Sequence, residues 1–145
     1  MRRLILPLLA VSLPALAGCA TIASTVGSSW NTALVGQQEV PGPGSPTATG
    51  TARVTADATT NTICADLTVR GLDTPTMAHI HKGAMGVAGP PVLTLATPVN
   101  GGSSKCFSVE KALAASLIAD PANFYVNIHS AAYPSGAIRG QLGRM

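Results

Sequence analysis

Short alternations of apolar and polar residues, separated by Gly, Pro, Asn and Ser, run through most of the chain. Positions 51–57 alternate Ala52, Val54 and Ala56 with Thr51, Arg53, Thr55 and Asp57, and positions 61–70 set Ile63, Ala65, Leu67 and Val69 against Cys64, Asp66, Thr68 and Arg70. Successive side chains on a strand point to opposite faces, so each series predicts a strand with one buried face. Ala58-Thr59-Thr60 between them predicts a hairpin. The same reasoning predicts strands at 34–39, 76–81, 91–96, 104–109, 124–130 and 137–142. One segment breaks the alternation: 110–119 places Leu113 and Leu117 four apart and stops before Asp120-Pro121, which predicts a short helix in a connection. The expected fold is all-β, a Greek-key β-sandwich or barrel of about eight strands.

Parity also sorts the polar side chains. In 124–130 the core face takes Phe124, Val126 and Ile128, which sends Tyr125, Asn127 and His129 to the opposite face. Ile80 marks the core side of its strand, so His79 and His81 point away from the core together. Ile138 and Leu142 likewise leave Arg139 and Gln141 outside. All three His of the protein are therefore predicted on outward faces, with Arg139. Cys64 and Cys106 also fall outward, where a cross-strand disulfide satisfies both thiols in an oxidising compartment.

That compartment is indicated by the N-terminus. Met1-Arg2-Arg3 is followed by an apolar run too short to span a membrane, which reads as an export signal over residues 1–18. Leu16-Ala17-Gly18-Cys19 resembles the bacterial lipobox, in which the Cys carries lipid after cleavage, so the expected product is anchored to a membrane of the cell envelope through Cys19. Residues 19–32, rich in Ala, Thr, Ser and Gly, read as a flexible tether, and residues 33–145 as the domain. The chain of 145 residues has a formal charge of +3, but the part from Cys19 onward holds three Lys and four Arg against six acidic residues, which leaves +1. No basic run remains to follow a phosphate backbone, so nucleic acid is not expected as a partner. With 10% charged residues, the composition also excludes a coiled coil and the usual disordered chain.

Five ordered motifs resemble the CHRD domain, named from the repeats of the animal protein chordin and common in secreted bacterial proteins. They are Leu34-Val35-Gly36-Gln37-Gln38-Glu39-Val40-Pro41 with Ala48-Thr49-Gly50, then Ala78-His79-Ile80-His81-Lys82-Gly83, Gly89-Pro90-Pro91-Val92, Tyr125-Val126-Asn127-Ile128-His129-Ser130-Ala131, and Gly136-Ala137-Ile138-Arg139-Gly140-Gln141-Leu142. The resemblance spans 34–142 and implies a binding or structural role, since chordin is a growth-factor binder. The expected partner is an unidentified protein or extracellular ligand.

A second resemblance concerns the histidines. His-x-His on one strand, an Ala-Gly-Pro turn, a later Val-x-x-His strand and a Gly-x-x-Arg strand are similar to the copper half of Cu/Zn superoxide dismutase. The resemblance implies copper or zinc on His79, His81 and His129, with Arg139 guiding an anion and Asn127 and Tyr125 in support. Pro91 stands where that family has its bridging His, and no other His is left for a zinc site. The alternative is a hydrogen-bonded cluster that fixes loops, with Arg139 in a surface salt bridge and Asp73 as the nearby acid. No paired carboxylates, phosphate-binding Gly loop or Ser/His/Asp spacing suggests other catalysis. The expected function is a lipid-anchored binding or structural domain, with metal binding as the competing reading.

Overall fold

A computed structural model describes residues 27–143. The segment read as an export signal, Cys19 and the first part of the expected tether lie outside the described residues. Eight strands follow in order: β1 (Ser28–Val35), β2 (Thr49–Asp57), β3 (Thr62–Arg70), β4 (Pro75–Lys82), β5 (Pro91–Thr94), β6 (Gly102–Ser108), β7 (Phe124–Ser130) and β8 (Ile138–Gln141). One helix, α1 (Lys111–Ala119), joins β6 to β7. The strands form one continuous antiparallel sheet in the order β5-β4-β7-β8-β1-β2-β3-β6. The sheet curls so that strands from both ends contribute to a single core.

The predicted parity holds across that core. Ala52, Val54 and Ala56 of β2 and Ile63, Ala65, Leu67 and Val69 of β3 are buried, as are Ile80, Val126, Ile128 and Ile138. Helix α1 rests against β2 and adds Ala114 and Leu117 to the same cluster. The β2–β3 hairpin closes because the Asp57 carboxylate accepts the backbone N–H groups of Thr59 at 2.7 Å and Thr60 at 3.2 Å. Those two bonds hold its carboxyl below the usual range. On the outer face, Cys64 lies opposite Cys106 in the β3–β6 register and the two form a disulfide.

The first strand begins earlier than expected. Residues 28–32, read as the end of the tether, are the start of β1, and Ser28 to Val35 pair with β2 along their whole length. Ser28, Trp30, Thr32 and Leu34 take the less exposed positions. Because two of these four are small hydroxyl residues, the alternation carries little hydrophobic contrast. The expected strand at 34–39 ends instead at Val35, and Gly36–Gln38 form a single 3-10 turn.

A larger difference concerns the opposite face. Along β2 and β3 it is open to solvent, with Thr51, Arg53, Asp66 and Thr68 exposed. In β7 and β8 every residue is buried, on both faces. Loops fold over the outer side of these strands: the segment after β1 brings Glu39 to Asn127. The β4–β5 connection brings the carbonyls of Ala84 and Val87 to Arg139, and the β7–β8 connection brings that of Pro134 to His129. The "outward" polar residues thus form a second, polar interior.

Candidate metal centre

Strands β4, β7 and β8 lie side by side, and directly opposed residues of antiparallel neighbours share a face. The register aligns His79, Asn127 and Arg139 in one row and His81, Tyr125 and Gln141 in the next. The structure therefore brings together all the sequence-derived candidates on these strands. The three imidazoles each offer a nitrogen, and these atoms lie within 4.8 Å of one another.

Hydrogen bonds set the tautomers. The Nδ1 of His81 is 2.8 Å from the carbonyl oxygen of Gly89, and the Nδ1 of His129 is 3.1 Å from that of Pro134. A carbonyl only accepts, so both Nδ1 atoms carry the proton and both Nε2 atoms are unprotonated acceptors. The Nε2 of His129 faces the Nδ1 of His79 at 3.2 Å. The Nε2 of His81 is buried with no partner among the described residues. Burial lowers the pKa of all three, and in His79 the neighbouring His129 and His81 add to the shift. Neutral imidazole, the form that ligates a metal, is thereby favoured.

Around this cluster the supporting residues are closely fitted. The Tyr125 ring stacks on His81 with centroids 4.8 Å apart and planes 13° from parallel. The guanidinium carbon of Arg139, from the strand on the other side, lies 3.4 Å from the Tyr125 ring centroid. The Tyr125 hydroxyl accepts the Gly89 N–H at 3.1 Å, which fixes the same backbone that orients His81. Only glycine fits there, since a Cβ on Gly89 falls 1.7 Å from the Lys82 carbonyl oxygen.

Arg139 is corrected in one respect: it is 1% exposed, not part of a surface salt bridge. It donates to the carbonyls of Val87 and Ala84, each at 3.0 Å, and to the Gln141 Oε1 at 3.1 Å. Its task is to hold the β4–β5 loop, and through Gly89 in that loop it bears on His81.

The nearby acid is Glu39, which sequence reasoning missed in favour of Asp73. Asp73 is exposed in the β3–β4 connection, whereas Glu39 is buried and its Oε2 accepts from the Asn127 Nδ2 at 3.2 Å. The one available signal was its place in a family-like motif, as one of six acids in the chain. Gly136, at φ +143°, lets the β7–β8 loop press on this pair, because a Cβ there falls 2.4 Å from the Glu39 Oε2.

Burial raises the Glu39 pKa from 4.5 to about 7, against the lowering effects of the Asn127 bond and the Arg139 charge. The folded state then keeps a proton that the unfolded chain releases near pH 4.5, so this group makes stability fall as pH rises from 4.5 to about 7. The histidines act the other way, since their lowered values cost stability as pH drops below 6.5. Glu39→Gln removes only the first effect. In urea unfolding it is expected to match wild type at pH 4 and to gain about 2 kcal/mol at pH 8. A difference that stays constant with pH would show that Glu39 does not titrate in this range.

The sequence profile of the CHRD domain matches residues 30–142. No curated protein and no solved structure matches the chain. The likeness to superoxide dismutase therefore rests on the positions of His79, His81, His129 and Arg139 alone. The profile match supports a binding or structural domain, and it takes in every strand from β2 to β8 together with most of β1. On this ground the chain belongs to the CHRD domain family.

Proposed function

We propose that this domain holds a transition-metal cation, copper or zinc, between His79, His81 and His129, on an exported protein tethered to a membrane of the cell envelope by lipid on Cys19. The observation that carries the reading is the buried Nε2 of His81, which has no partner although its Nδ1 is bonded to Gly89. A cluster built only to fix loops explains the bond between His79 and His129 but leaves this nitrogen unsatisfied. Such an orphan costs roughly 1–3 kcal/mol, and a cation would use its lone pair.

The surroundings suit a metal site. Ligating histidines usually donate their other N–H to a backbone carbonyl or carboxylate, as His81 and His129 do here. Bonds of about 2 Å require donors roughly 3.3 Å apart, within reach of small ring rotations from the present spacing. Neutral imidazole suits both copper and zinc, and three protein donors leave a coordination position open. An extracellular ligand or a side chain of a partner protein would attach there. The lipobox-like Leu16-Ala17-Gly18-Cys19 supports the envelope location.

One fractionation experiment tests both halves. Washed membranes from expressing cells are loaded with copper or zinc, dialysed and analysed for metal and protein. The wild-type chain is expected in the membranes with about one cation per copy. Cys19→Ala is expected to carry its metal into the soluble fraction. His81→Ala with His129→Ala is expected to stay in the membranes with affinity lowered ~100-fold or more. Absence of stoichiometric metal in wild type, or unchanged metal in the double His variant, overturns the metal reading. Retention of Cys19→Ala in the membranes overturns the anchor.

A further inference from the structure

Met77 lies two positions before His79 on β4, so the two side chains share a face. In the β4–β7 register Met77 pairs with His129, which places their Cα atoms roughly 5 Å apart with side chains adjacent. The pairing of β5 with β4 starts at His79, so Met77 stands beyond the end of β5 at the open rim of the polar interior.

Exposure is graded along this row. Met77 is 44% exposed, His79 is half-buried, and His129 and His81 are buried at 6% and 8%. A cation coming from solvent meets the thioether first, the His79–His129 pair next and His81 last. A methionine alone on a surface needs no explanation. One in register with a buried histidine, whose unprotonated Nε2 already faces His79, is placed as a donor to the same cluster.

We propose that Met77 is a fourth, soft donor to the three-His cluster and makes it a site for monovalent copper. The inference rests on the metal reading above and specifies its cation. A neutral thioether is a soft ligand that suits Cu(I), whereas zinc in proteins takes thiolate, imidazole and carboxylate. Thioether and imidazole together therefore favour Cu(I) over Zn(II) relative to three imidazoles alone. The flexible, unbranched Met side chain can swing from solvent to the His129 side without moving the strand.

The test uses the full-length protein in detergent. Cu(I) is titrated in competition with a chromophoric Cu(I) chelator under anaerobic conditions, and Zn(II) with a chromophoric zinc chelator, for wild type, Met77→Leu and His129→Ala. Leu matches Met in size at an exposed position, so folding is expected to be unchanged and is checked by circular dichroism. Met77→Leu is expected to weaken Cu(I) about tenfold or more while leaving Zn(II) unchanged, and His129→Ala to weaken both. X-ray absorption of the Cu(I) form is expected to show a sulfur neighbour in wild type that is lost in Met77→Leu. Equal Cu(I) affinity in wild type and Met77→Leu, or a wild-type spectrum without sulfur, overturns the role of Met77 and leaves the three-His site standing. Absence of both cations from wild type overturns the metal reading, and the role of Met77 with it.

Discussion

Arg139→Ala is expected to lower the folding free energy by about 5 kcal/mol, the largest effect of any single change discussed for this domain. The guanidinium is 1% exposed and bonds two loop carbonyls and the Gln141 side chain. Truncation leaves the Gln141 Oε1 buried without a donor, at a cost of roughly 1–3 kcal/mol, frees the part-buried carbonyls of Ala84 and Val87, and removes the cation from the Tyr125 ring. It also releases Gln141, whose Nε2 reaches the carbonyls of Gly83, Ala122 and Phe124 at 2.8, 2.7 and 2.9 Å. Domains of this size hold only about 5–15 kcal/mol in total, so the variant is expected to lie close to unfolding.

Arg139→Lys should recover little of this loss, because an ammonium cannot donate in a planar fork while stacking on an aromatic ring. Thermal unfolding of the three proteins checks the expectation, with a drop on the order of 20 °C for Arg139→Ala. A midpoint within a few degrees of wild type would mean that the β4–β5 loop does not depend on Arg139.

Loss of the disulfide comes next in size. Cys64 and Cys106 are 42 positions apart, and closing a loop of that length stabilises by about 4 kcal/mol in the chain-entropy description. The bond also joins β6, an edge strand hydrogen-bonded only to β3, to the rest of the sheet. Cys106 is exposed and Cys64 half-buried on the outer face, so replacing both with Ser leaves the core packing intact. Urea unfolding of Cys64→Ser with Cys106→Ser, followed by the fluorescence of the single Trp30, is expected to show that loss as a lower midpoint. Trp30 packs against the core at the far side of β2, so it reports the whole sheet. The same midpoint in the double variant would remove the disulfide from the stability argument.

Much of this arrangement was legible in the chain. Period-2 alternation located all eight strands approximately, because the contrast between Val, Ile, Leu and Thr, Arg, Asp is strong where one face is buried and the other wet. It misplaced the start of β1, where Ser28 and Thr32 occupy the inner positions and give little contrast. It placed His79, His81, His129 and Arg139 on a common side, since parity depends only on backbone geometry.

Parity alone, however, does not say whether a non-core face is open or covered. That is decided mainly by loops distant in sequence, and here two of them close over β7 and β8 together with the β7–β8 connection. Glu39 reaches Asn127 across 88 positions, and Arg139 reaches Ala84 and Val87 across 55 and 52. No local pattern encodes such contacts, which is why Glu39 was overlooked for Asp73 and the cover over the outward face of Arg139 was not foreseen. The sequence by itself therefore determined an all-β chain, the inner and outer sets of side chains and the pairing of Cys64 with Cys106. Only the tertiary structure decided that the outer His, Tyr and Arg face a largely covered polar interior. There, burial keeps the imidazoles neutral and leaves one nitrogen of His81 without a partner.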